Sequence, residues 1–344
     1  MKVPNESNKK PDKYNFTAYN NSISKTNWTT TLDLGKLAEN YLLRNKIFNS
    51  KGELFFTLQV RQQGFKTNTG NMLLCKFTKE HGFTFKEIIF KEGEHDFEWL
   101  SRIKLNERED KLFIYGINKN RNNENDFFYL KKFDVNTLLE VNNSSIDLGN
   151  SKENGLNDEN LFGITYRISD FKFHDLLINE EDESYTVIGE IFKPCVVNTT
   201  KYPGINSTIL CIKMKSDGTL ISKFAIPRKM KLSELDEEYS SFITIQNTKK
   251  TSFLFYDDSK NESLTSYSKD IKIKQVTHDN DLDLYMVTIN ENNKISKSKV
   301  IKANTGNLKE LNKKQNFETK TAIFLTKNKL LVESGTSFGI LTIE

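Results

Sequence analysis

Glu94-His95-Asp96 sets an imidazole between two carboxylates, the makings of a metal site or a proton relay. It also reads as a solvated turn, because the chain has His 4 in all and no second His cluster accompanies it. Asp279-Asn280-Asp281-Leu282-Asp283 alternates carboxylates as a calcium loop begins, yet it lacks the turn Gly, and Asn290 stands where the distal bidentate Glu belongs. A loop entering a strand is the simpler reading. Tyr256-Asp257-Asp258 offers an aromatic face beside two acids at the start of a long insertion, suited to stacking and hydrogen bonding with a ligand. Lys193, Tyr202 and Arg228 add cationic and phenolic groups around the long connections. His174, inside an apolar segment, reads as a structural imidazole. Glu39, Asp96, Glu98, Asp170 and Glu238 are the carboxylates nearest the ends of expected inner strands. Two of them at the right separation would suffice for glycoside hydrolysis. No Gly-rich phosphate loop, Ser nucleophile elbow or paired-Cys zinc spacing occurs, so neither a cofactor nor a metal is expected.

The elements that must position these groups repeat. Five times, a short apolar run is followed by a turn, a second apolar run, a third strand and, in the first four copies, a more polar fourth. Third strands are expected at 72–77, 127–133, 208–214, 284–289 and 338–343, and second strands begin near Glu53, Lys111, Tyr185, Thr251 and Lys329. Inner strands precede these at 41–48, 97–105, 168–178, 242–246 and 321–326. Outer strands follow at 83–90, 141–148, 220–226 and 295–301. The pattern predicts an all-β, five-bladed β-propeller of four-stranded blades, with a six-bladed ring as the alternative. The last copy stops after its third strand. The β-prone 28–34, which shares an Asp-Leu-Gly ending with 147–149, is expected to complete that sheet and close the ring over residues 27–344. Residues 1–26 are expected to be a poorly ordered tail.

Composition suits a sheet protein: Phe 25 and Tyr 12 supply large flat side chains, and Pro 5 is low. Lys+Arg 50 against Asp+Glu 46 leaves +4 without one-sign blocks, so no footprint for nucleic acid is evident. No apolar stretch approaches a membrane span, and the polar first 27 residues hold no signal-peptide core. Cys75, Cys195 and Cys211 read as buried free thiols. Turns joining first to second strands are short, whereas 149–167, 193–207, 257–283 and 303–320 are long connections. In a propeller these long connections emerge on one face, around the mouth of the channel, which makes that face the functional candidate.

Val187-Ile188-Gly189-Glu190, then 209–218, Phe224-Ala225-Ile226-Pro227-Arg228-Lys229 and 253–258, resemble a group of uncharacterised bacterial β-propeller proteins. The resemblance covers best the stretch 185–301. Members of that group are of an exported type, which implies a place in the cell envelope, and the group brings no catalytic residues with it. The expected function is a non-enzymatic binding scaffold that docks a protein or glycan through its loop-rich face, with no catalytic residue assigned. Its candidate ligand-binding residues are Glu94, His95, Asp96, Lys193, Tyr202, Arg228, Tyr256, Asp257 and Asp258. The alternative is a glycoside hydrolase-like enzyme with carboxylates in a central channel.

Overall fold

The computed structural model describes residues 13–19, 26–34, 37, 41–60, 72–78, 80–88, 94–96, 101–120, 125–150, 171–193, 204–232, 242–246, 250–266, 272–274, 282–301, 323–326, 329–334 and 337–342. Among them the chain is all-β, apart from isolated turns of helix. It divides into two compact units, 1–151 and 152–344.

In the first unit β1 (Lys13–Tyr19) and β2 (Thr26–Asp33) form a two-stranded sheet. β3 (Tyr41–Phe48), β4 (Leu54–Val60), β5 (Met72–Thr78) and β6 (Gly82–Ile88) form an antiparallel meander. The next sheet runs from β7 (Glu94–Asp96) and β8 (Arg102–Leu105), both paired with β9 (Lys111–Asn120), to β10 (Asn125–Asp134) and β11 (Glu140–Asn150). Of the inner strand expected over 97–105, the described part is β8, and β7, just before that range, pairs with the same neighbour β9. The order of second, third and outer strands follows the repeat.

In the second unit β12 (Phe171–Asn179), β13 (Ser184–Lys193), β14 (Gly204–Lys215) and β15 (Leu220–Leu232) make one meander. β16 (Ile243–Gln246), β17 (Lys250–Asp258), β18 (Leu282–Asn290) and β19 (Ile295–Ile301) make the next. β20 (Ile323–Thr326), β21 (Lys329–Ser334) and β22 (Ser337–Thr342) form a three-stranded sheet. Among the described residues β2 pairs with β1, and β22 with β21. A partner a few residues upstream costs less loop-closure entropy than one at the far end of the chain. β1 itself lies inside the stretch expected as a tail.

The local reasons are visible in the turns. Asn49 accepts from the Glu53 backbone N–H at 2.8 Å, and its side-chain amide donates to the Glu53 carboxylate. Asn106 repeats the device with Lys111 N–H and Asp110, and Asn290 with Lys294 N–H. Each turn then needs one residue at positive φ, supplied by Gly52, Glu109 and Asn293 in the three cases. Second and third strands carry the cores. Phe55, Met72, Leu74, Leu112, Ile114 and Phe133 pack in the first unit, and Ile188, Ile209, Phe253, Phe255 and Val287 in the second. Cys75 and Cys211 are buried free thiols, pushed upward in pKa by burial, while Cys195 lies outside the described residues. Pro227 sits on β15, an outer strand, where a missing N–H costs no ladder bond.

Gly116 of β9 faces Tyr129 of β10 in register, and a Cβ there would meet the phenol oxygen at 2.7 Å and ring carbons at 2.8 and 2.9 Å. Tyr129 is itself packed in the core and has little room to retreat. Gly116→Ala is expected to destabilise by about 1–3 kcal/mol through overpacking. A denaturant midpoint equal to wild type would show that the ring yields freely.

Candidate functional site

The densest polar cluster among the described residues lies between the sheets β12–β15 and β16–β19. It begins with Glu190, inside the apolar run Val187–Ile191 of β13, whose side chain is fully buried. Lys172 on the neighbouring edge strand β12 is its cross-strand partner. The register shift on β12 falls between Phe173 and Asp175, at His174, and both Lys172 and His174 reach the carboxylate. His174 Nε2 lies 2.9 Å from Glu190 Oε1, and Lys172 Nζ lies 3.8 Å from the same oxygen. The 2.9 Å approach is short, but it is misaligned for a hydrogen bond, so both Nε2 and Oε1 are buried without a well-directed one. The imidazole rests against Phe242, ring centroids 4.2 Å apart, and is 16% exposed, while the carboxylate is 0% exposed.

Glu190 Oε2 faces Arg228 Nη1 of β15 at 3.5 Å. This guanidinium is wholly buried; desolvation lowers its pKa, opposed by the charges of Glu190 and Asp257. It sits over the Phe255 ring of the adjoining sheet at 5.4 Å. Lys297 Nζ follows, 5.6 Å from Phe255 and 4.8 Å from Tyr285, and then Lys299, 5.6 Å from Tyr285. Cations and aromatic faces thus alternate from one sheet into the next.

The acids of this second half stand opposite one another. Asp257 and Asp283 are cross-strand partners, a placement that repels unless each finds a cation. β19 supplies both: Lys297 Nζ donates to Asp257 at 2.7 Å, and Lys299 Nζ reaches Asp283 at 2.6 Å. Both side chains of the first pair are 0% exposed. Asn261, also buried, donates to Asp257 Oδ1 and binds both backbone groups of Lys274, pinning the loop after β17. Asp258 caps the 3₁₀ turn Ser259–Asn261 by accepting from Lys260 N–H. The Asp283 hydrogen bond raises Lys299 above its ordinary range.

Tyr285 has its hydroxyl 3.3 Å from Asp283, and its pKa is pushed up to about 12, first by burial and then by that carboxylate. A folded value above the ordinary 10 contributes stability that is complete below pH 10 and lost as pH rises through about 12. Tyr285→Phe is expected to flatten that alkaline loss when urea midpoints are compared from pH 8 to about 12. An unaltered slope would remove Tyr285 from the account.

The residues expected from sequence fall in different places. Arg228, Asp257 and Asp258 belong to this cluster as buried groups, and Tyr256 is a buried residue of β17. Glu94, His95 and Asp96 form strand β7, paired with Asn118–Asn120 of β9, rather than a turn. Lys193 ends β13, opposite Ile205. Tyr202, Glu39, Glu98, Asp170, Glu238, Asp279, Asn280 and Asp281 lie outside the described residues. Glu190, Asn261, Lys297 and Lys299 were not anticipated. The signal for Glu190 is a lone acid in an otherwise apolar second strand, which demands a partner. Among the described residues no three His, Cys, Asp or Glu side chains gather as a metal site, and no helix is long and apolar enough to cross a membrane.

No protein-family model matches the sequence, and no curated protein does. Solved structures similar to the chain include the β-propeller domain of the trilobed protease from Pyrococcus furiosus. It is 11% identical with a TM-score of 0.38, covering 88% of this chain and 71% of that one. The α-L-arabinanase of Penicillium chrysogenum, in complex with arabinobiose, is 12% identical with a TM-score of 0.40, covering 88% and 78%. The GH93 α-L-arabinofuranosidase of Fusarium graminearum is 8% identical with a TM-score of 0.35, covering 88% and 80%. The expectation of a non-enzymatic docking scaffold is corrected at this point. The similar structures named here include glycoside hydrolases, where the sequence led to the expectation of a non-enzymatic scaffold. At such identities and scores, the case for an activity rests on the chemistry of the chain's own residues.

Proposed function

We propose that this chain is a glycoside hydrolase-like enzyme on a five-bladed propeller spanning residues 27–344, with His174 and Glu190 handling the proton. The observation that carries the reading is the 2.9 Å approach of His174 Nε2, on the edge strand β12, to a fully buried carboxylate on its neighbour β13. The imidazole keeps an edge toward solvent while its partner keeps none. A carboxylate set against one ring nitrogen orients the ring and balances the charge that forms when the ring holds a proton. Cleavage of a glycosidic bond needs a proton for the leaving oxygen and a carboxylate on the other side of the sugar ring. His174 is assigned the first role. Asp170 and Glu238, near inner-strand ends in the sequence of the same unit, are the candidates for the second.

The test is release of reducing sugar from a panel of glycans and of nitrophenol from aryl glycosides, beginning with α-L-arabinofuranosides, arabinan and β-galactosides. His174→Asn is expected to lower kcat by about 10²–10⁴-fold with KM little changed. Each of these two carboxylates is then replaced by its amide to find the second group. The proposal fails if folded protein cleaves nothing on the panel, or if His174→Asn and Glu190→Gln cleave as fast as wild type.

A further inference from the structure

We infer that Arg228 is a positioning residue, which sets the Glu190 carboxylate against His174 and is itself set by the neighbouring sheet. As a role in catalysis this rests on the reading above; as a statement about geometry it does not. Glu190 divides its two oxygens: Oε2 faces Arg228 Nη1 at 3.5 Å, and Oε1 faces His174 Nε2 at 2.9 Å. Occupying one oxygen fixes the rotation of the carboxylate and hence the aim of the other. Arg228 is 0% exposed, so it acts through Glu190 and does not itself meet a ligand from solvent. Its own place depends on the adjoining sheet, where the Phe255 ring lies 5.4 Å from the guanidinium carbon and Asp257 adds a second negative charge. A flat, delocalised cation suits that position and an ammonium does not, since it can neither lie flat over the ring nor present a fork to the carboxylate.

Three further groups face the pair. Lys172 reaches Glu190 Oε1 from β12, Phe242 covers the imidazole from the start of the next sheet, and Lys297 lies beside Phe255. None of them occupies Glu190 Oε2, so Arg228 is the group whose change should rotate the carboxylate.

The experiment uses the full chain labelled with ¹⁵N-histidine and reads the two ring-nitrogen shifts of His174 at one fixed pH. The chain's other three histidines are separated by the loss of signal in His174→Asn. Wild type is expected to show ring-nitrogen shifts distinct from those of a free imidazole, and Glu190→Gln is expected to move them toward the free values. Arg228→Lys, which keeps the charge, is expected to move them in the same direction. In the glycoside assay it should lower kcat by about tenfold or more with KM within about twofold, because a buried residue acting through another alters the reacting geometry and not the binding surface. If Arg228→Lys does not fold, Phe255→Leu, which removes the ring beside the guanidinium and leaves every charge in place, is expected to give the same spectral change. A wild-type His174 spectrum in a folded Arg228→Lys or Phe255→Leu variant, with Glu190→Gln altered, overturns the inference. A rise in KM with kcat unchanged overturns it as well, since Arg228 would then be a ligand contact. Loss of the glycosidase reading with the spectral changes intact leaves Arg228 as the residue that orients the pair.

Discussion

Arg228→Met is expected to lower the unfolding free energy by about 3–5 kcal/mol, because it leaves the Glu190 carboxylate charged in the interior without its strongest partner. Glu190 has no exposed surface through which water could replace the guanidinium. Lys172 lies 3.8 Å away with its side chain 54% exposed, so much of its attraction is screened and it compensates little. The complementary experiment removes both charges. Glu190→Met combined with Arg228→Met takes away the attraction together with the desolvation cost of each ion, and the double variant is expected to recover most of the loss. The measurement is a urea or guanidinium transition for wild type, both single variants and the double variant. Additive losses would mean that the two side chains do not act as a pair.

Lys297→Met carries the second large effect, also about 3–5 kcal/mol. The ammonium donates to Asp257 at 2.7 Å and to the Asn261 backbone carbonyl at 2.8 Å, with neither side chain of the ion pair exposed. Without it, Asp257 faces Asp283 across the strand pair, held among the described residues by the Asn261 amide, a backbone N–H and the more distant charge of Arg228. Asp257→Asn in the same background is expected to return part of the loss by removing the uncompensated charge. Limited proteolysis adds a local readout: the 259–274 stretch, which Asn261 fastens through Lys274, should be cut earlier in Lys297→Met than in wild type. Equal midpoints and equal cutting would show that the Asp257–Lys297 contact does not stabilise the loop.

The strand order was legible in the sequence because second and third strands are nearly continuous in apolar residues. Phe253, Leu254, Phe255 and Tyr256 are all buried, as the run implies. The charged cluster was less legible, for two physical reasons. On β19, Lys297 and Lys299 alternate with Ser296 and Ser298, a pattern that reads as a polar rim, yet the lysines are the inward set and the serines face water. Alternation identifies two faces but does not say which one is buried when both are polar. The acids that draw these lysines inward, Asp257 and Asp283, are joined only by the pairing of β17 with β18, a contact between segments about 25 residues apart. His174 and Glu190 likewise meet only through the register of β12 on β13, where a register shift sets which residues face one another. The pairing of β2 with β1 was not legible, because an unfilled edge in the last repeat gave no account of β1, an equally β-prone strand close by.

The Asn49, Asn106 and Asn290 turns each tie down their own ends with bonds spanning four or five residues. Hairpins of this kind can form before any distant part of the chain is present, and every multistranded sheet here is drawn from one uninterrupted stretch of sequence. A nascent chain leaving the ribosome can therefore finish one sheet while the next is still being synthesised, which shortens the time its strand edges stand open to other molecules.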